Sequence, residues 1–98
     1  LLGLNRSLAA ELAQHKILVN ALCPGWVDTE MAHEGLRAFS EALKISKEKA
    51  LDQAMADVPL GKMSTPNEIA QLTSFLISDA QTSITGQTLG INNGAMML

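Results

Sequence analysis

One run of residues limits the possible folds most. Residues 17–22, ILVNAL, are almost continuously apolar, and the chain then breaks at Pro24-Gly25. A short apolar run without alternation reads as a strand buried on both faces, as in parallel sheets. Proline gives up its N–H and glycine carries no side chain, so the strand stops there and leaves bare backbone at its end. Upstream, Leu1, Leu4, Leu8 and Leu12 recur at helical spacing, with Asn5, Glu11 and Gln14 off that stripe. This predicts an amphipathic helix ending near Gln14-His15-Lys16. A helix joined by a brief turn to a buried strand is the second half of a βαβ unit, which points to an α/β architecture.

The rest of the chain continues in that style. Leu36, Phe39 and Leu43 predict one helix, and Ala50, Leu51, Ala54 and Met55 a second, with Ser46 as its N-cap. Thr65, Pro66 and Glu68 occupy the N-cap, N1 and N3 positions of a third, completing a capping box. Its buried stripe is Ile69, Leu72 and Leu76, with Phe75 on the flank. Residues 88–91 then read as a last strand, followed by a turn at Asn93-Gly94. There is no internal repeat, linker or low-complexity tract.

Composition excludes several classes. The 98 residues carry seven basic and ten acidic side chains, a net charge of -3, which attracts neither nucleic acid nor an anionic membrane. No apolar run approaches the roughly 20 residues of a membrane span. The first residues lack the basic lead of a signal peptide. They also lack an initiator Met and open inside a helical pattern, as a fragment would. Apolar residues make up 47%, aromatics only 3%, and Tyr is absent, so an aliphatic core is expected. The single cysteine, Cys23, excludes an internal disulfide and fits a reducing, cytoplasmic setting. In its strand context it reads as a small packed side chain. His15 and His33 lack ligand spacing and read as solvated helix-end residues, leaving no expected metal site.

In open parallel sheets, ligands sit beyond the carboxyl ends of the strands. Gly25 lies at such an end, where the missing side chain leaves room for a flat ring. Thr29 follows at a helix start, where a hydroxyl and an N–H can meet a phosphate or amide. Asn20 is expected to make a structural hydrogen bond. Trp26 can wall a ligand site or pack as core or lid.

The patterns LxxLxRSLAxEL, IxVNAxxPGWVxTxM and LGKMSTPxEIAxLxxFLxSDxxxxITGQTLxIxxG span nearly all of the chain in order. Together they resemble the carboxyl-terminal part of the short-chain dehydrogenase/reductases. The resemblance implies the C-terminal portion of a Rossmann-like, doubly wound parallel sheet with flanking helices. Residues 1–98 would then be one segment of a single domain. It implies an NAD(P)-dependent oxidoreductase acting on a secondary alcohol or ketone, similar to 3-oxoacyl thioester reductases or hydroxybutyrate dehydrogenases. Pro24, Gly25 and Val27 match the stretch whose backbone contacts the nicotinamide of NAD or NADP, with Val27 pairing the carboxamide. Thr29 matches the hydroxyl that bonds the carboxamide or pyrophosphate, and Met31 a position close to the cofactor.

The family's catalytic Ser, Tyr and Lys correspond to positions upstream of Leu1. These 98 residues alone are therefore expected to be inactive. The alternative reading is a truncated, non-catalytic chain that keeps only the oligomerisation surfaces. A Tyr-x-x-x-Lys just before Leu1 separates the two. Residues 32–58 read as a mobile substrate lid. The resemblance also implies a homotetramer or dimer. A strip of Leu2, Ala9 and Ala13 on the first helix and the terminal Ala95-Met96-Met97-Leu98 are the expected contact surfaces. One departure is Asn92-Asn93-Gly94 where family members usually end Asp-Gly-Gly. Asparagine tolerates positive φ, so the turn should survive.

Overall fold

The computed structural model describes residues 1–97. Leu98, the last residue of the apolar tail, lies outside the described residues. The elements in order are α1 (Leu2–Leu12), a 3-10 turn (Ala13–His15), β1 (Ala21–Pro24), α2 (Glu30–Leu43), α3 (Lys47–Ala56), α4 (Pro66–Ile77) and β2 (Thr88–Ile91). This is the order read from the sequence, in the α/β class. The two strands pair in parallel, Ala21 opposite Thr88 and Pro24 opposite Ile91.

β1 begins later than the apolar run. Residues 17–20 face the turn before β2, so their hydrogen bonds go to turn groups: Val19 N–H donates to Thr85 Oγ1 at 3.0 Å, and Gly86 N–H to Val19 O at 2.7 Å. Asn20 closes this junction, donating from Nδ2 to Ile84 O at 2.9 Å and accepting at Oδ1 from Gln87 N–H at 3.1 Å. Regular pairing starts one residue later. Ala21 N–H donates to Gln87 O at 2.9 Å, and Gly25 N–H to Ile91 O at 3.1 Å. Odd-numbered residues of β1 therefore donate toward β2, and the N–H that Pro24 lacks would have pointed away from it. Cys23 is exposed rather than packed, because the second half of β1 is uncovered.

The helix starts follow the sequence closely. Thr29 and Ser46 cap α2 and α3, accepting from Ala32 and Lys49 N–H. The capping box of α4 is complete on both arms. The covered faces differ from expectation. On α1 the buried residues are Asn5 and Ala9, whereas Leu4 is 57% exposed. A Cβ added to Gly86 would lie 3.4 Å from Ala9 Cβ, so this face meets the β2 turn backbone, and only small side chains fit there. Asn5, expected to be off the packed face, instead donates from Nδ2 to Gln87 O at 3.2 Å. Ala9 thus packs within the chain, while Leu2 and Ala13 of the same strip stay exposed. On α4, Ile69, Leu72 and Leu76 are half-buried and Phe75 is exposed.

α2 and α3 pack on each other through Leu36 and Ala50, both fully covered, while Phe39 and Leu43 stay exposed. The buried apolar side chains among the described residues are Ala9, Leu36, Ala50 and Val58. With so small a core, the chain extends over 55 × 25 × 22 Å, with a radius of gyration of 16.9 Å, against about 13 Å for a compact domain of this length. No helix among the described residues is long and apolar enough to cross a membrane.

Candidate functional site

The segment after β1 is held by a second backbone attachment. Val27 forms an isolated parallel bridge with Ser64. Ser64 N–H donates to Trp26 O at 2.9 Å, and Asp28 N–H donates to Ser64 O at 2.8 Å. These bonds use the groups flanking Val27, so its own N–H and C=O face the opposite side. The C=O accepts from Thr29 Oγ1 at 3.3 Å. The N–H has no partner among the described residues.

Thr29 does double duty. Besides that donation, its Oγ1 accepts from Ala32 N–H at 3.4 Å as the cap of α2. The amino end of α2 therefore opens beside the Val27 backbone, and its partial positive charge favours a polar or anionic group there. Two side-chain pairs flank it: His33 Nε2 and Asp28 Oδ1 are in hydrogen-bond contact at 2.6 Å, and Arg37 pairs with Glu30 at 3.1 Å. His33 is thus half-buried and paired, not a solvated helix-end residue.

Gly25, Val27, Thr29 and Met31 line one open pocket of about 500 Å³ together with Trp26 and Gly35. Pro24 is not in its lining; it stays in the ladder opposite Ile91. Gly25 has a structural reason beyond ligand space. A Cβ there would lie 2.8 Å from Asn92 Cβ and 3.0 Å from Asn92 Cα, so the backbone after β2 already occupies that space. Trp26 is shared with a second, largely apolar pocket of about 440 Å³ bounded by Leu36, Phe39, Gln53 and Ala54. Trp26 and Gly35 thus border both pockets.

Ser64 and Asn93 are contributors that sequence reasoning missed. Ser64 is almost fully buried and accepts from Asn93 Nδ2 at 3.1 Å. The available signal was a serine immediately before a capping threonine, a position that patterning treats as loop.

The chain's parallel strands and helix order agree with comparisons to known proteins. The family model described as enoyl-(acyl carrier protein) reductase matches residues 1–96. The acetoacetyl-CoA reductase of Shinella zoogloeoides is 41% identical over 93 residues, covering 95% of this chain and 34% of that protein. A short-chain dehydrogenase family protein from Francisella tularensis superposes with a TM-score of 0.91 at 35% identity, covering 96% of this chain and 39% of the other. A variant of the actinorhodin polyketide ketoreductase, solved with NADPH, gives a TM-score of 0.86 at 37% identity over 96% of this chain and 36% of the other. The chain spans 34% to 38% of the length of the first eight curated relatives it matches. The chain belongs to the short-chain dehydrogenase/reductase family, of which it is a carboxyl-terminal portion.

Proposed function

We propose that residues 1–98 are the carboxyl-terminal segment of a single-domain oxidoreductase that moves hydride between NAD or NADP and a secondary alcohol or ketone. The observation that carries this reading is the convergence of Gly25, Val27, Thr29 and Met31 on one pocket at the carboxyl end of a parallel strand. Those residues fit a nicotinamide. Val27 has an unpartnered N–H facing away from its bridge to Ser64, suited to a carboxamide oxygen. Thr29 and the amino end of α2 offer donors to an amide or phosphate. Pro24 sets the strand end from which the loop departs, and Met31 and Trp26 supply apolar walls that exclude water. When bound, the nicotinamide supplies or accepts the hydride at its C4. Proton transfer to the substrate oxygen belongs to the family's upstream Tyr and Lys, since this chain contains no Tyr.

The apolar pocket behind Trp26, with Gln53 as its one polar side chain, suits an aliphatic substituent on the substrate. Relatives named as an acetoacetyl-CoA reductase and a polyketide ketoreductase support a 3-oxoacyl thioester. α2 and α3, which pack on each other and only sparsely on other elements, act as the lid over it. The protein is cytoplasmic and assembles as a homotetramer or dimer. Its partners are small molecules, not nucleic acid or membrane. Support for assembly lies in the exposed Leu1, Leu4, Met96 and Met97.

The test is to assay the complete protein for oxidation of NADPH and NADH with a 3-oxoacyl thioester. Turnover with either cofactor supports the reading. Failure to bind both cofactors, or a sequence before Leu1 without Tyr-x-x-x-Lys, favours the non-catalytic alternative.

A further inference from the structure

Four hydrogen bonds join the turn after β2 to the loop before α2. Asn93 grips the segment leading into α4 at two points. Its carbonyl accepts from Leu60 N–H at 3.0 Å, and its Nδ2 donates to Ser64 Oγ at 3.1 Å. Ser64 in turn brackets Val27 with its own N–H and C=O, at 2.9 Å to Trp26 O and 2.8 Å from Asp28 N–H. The turn is pressed close: a Cβ on Gly94 would lie 3.0 Å from Pro59 Cγ.

The turn itself does not require asparagine. Asn93 has φ of 55°, the left-handed region that glycine adopts with less strain. What asparagine adds is an amide that reaches a hydroxyl which is itself out of water. Ser64 Oγ has no other partner among the described residues. Losing the amide therefore leaves a buried polar atom unsatisfied beside the Val27 bridge.

We infer that Asn93 is a positioning residue for the Val27 backbone, acting through Ser64, and so tunes affinity for the nicotinamide cofactor. This rests on the proposed function of the same loop. Asn93 is not among the residues that line the pocket; it sets where the Val27 N–H points by holding the peptide to which that loop is tied.

The test uses the complete protein and three substitutions. N93G keeps the left-handed backbone and removes the amide; S64A removes the acceptor; N93D keeps a partner, because the Ser64 hydroxyl can donate to the carboxylate. Titration with NADPH and NADH should show Kd raised about five- to tenfold in N93G and in S64A, the worth of one buried hydrogen bond. The double variant should be no weaker than either single one, because both remove the same link. N93D should restore most of the affinity. Steady-state assays should show cofactor KM raised with substrate KM unchanged, a split that general loosening of the fold does not produce. Cofactor affinity unaltered in N93G, or N93D no better than N93G, overturns the positioning role. An unsubstituted protein that binds neither cofactor overturns the proposed function, and this inference with it.

Discussion

The Cβ that Gly25 lacks would overlap the side chain of Asn92, 2.8 Å from its Cβ, so the end of β1 and the exit from β2 meet at van der Waals limit. Substituting Gly25 by alanine should therefore destabilise the protein before it affects any ligand. Overpacking of this kind costs about 1 to 3 kcal/mol. Thermal unfolding of the complete protein should show a lowered Tm for Gly25→Ala without cofactor present. An unchanged Tm with weakened cofactor binding would restore the simpler view that glycine only makes space for the ring.

Thr29 carries two loads that a single substitution confounds. Thr29→Ala removes the cap of α2, worth about 1 kcal/mol, and a hydroxyl for the cofactor, worth about 1 to 2 kcal/mol. Thr29→Asn keeps a capping oxygen but changes what faces the pocket. Cofactor titration should be weakened in both variants, whereas Tm should fall chiefly in Thr29→Ala. Equal cofactor affinity across wild type and both variants removes Thr29 from the site.

The α2–α3 pair makes its main contacts internally, with Leu36 and Ala50 as its covered centre. Such a unit can open without disturbing the strands, and closure over substrate would exclude water. Hydrogen exchange across residues 32–58 of the complete protein should slow when cofactor and a substrate analogue bind together. Exchange already slow, and unmoved by ligands, would make the pair fixed scaffold.

Glu68 gives a pH dependence with a definite sign. The backbone hydrogen bond from Thr65 holds its carboxyl below the ordinary value of 4.5, opposed by slight desolvation and aided by Lys62. A lowered pKa means the folded state binds the proton less readily than the unfolded one. The stabilising contribution is therefore fully present above about pH 4.5 and fades as pH falls through the folded value. Glu68→Gln should lower Tm slightly at neutral pH, where the charged carboxylate contributes, and converge with the unsubstituted protein in acid, so that its acid limb is flatter. An identical acid limb in the variant would show that the capping box is not the titrating element.

What was legible in the sequence depended on how local the cause is. The α4 start was readable because Thr65, Pro66 and Glu68 act on each other within one turn. β2 was readable because its pattern and its turn residues agree. The covered face of α1 was not. Leucines at helical spacing announce that a face will be buried, but not against what, and here the close neighbour is Gly86, which admits Ala9 and Asn5. The start of β1 was misplaced because an apolar run cannot tell pairing with a strand from pairing with a turn, and Asn20 makes the second possible. The candidate site was half legible. Gly25, Val27, Thr29 and Met31 gather on one pocket; strand-end chemistry pointed to Gly25 and Thr29, and the family resemblance to Val27 and Met31. Ser64 and Asn93, 29 positions apart, could be joined only by the fold.

Pro24 has a consequence for how the sheet can grow. Ala21 and Gly25 spend their N–H groups on β2, so a strand arriving on the opposite side of β1 would look to Leu22 and to position 24 for donors. Leu22 can supply one, and Pro24 cannot. An added strand can therefore zip along the body of β1 but is refused at its last rung. Beyond that rung the backbone turns to Ser64 instead, through Trp26 O and Asp28 N–H, so the segment leading into α4, and not a further strand, takes up the chain where β1 ends.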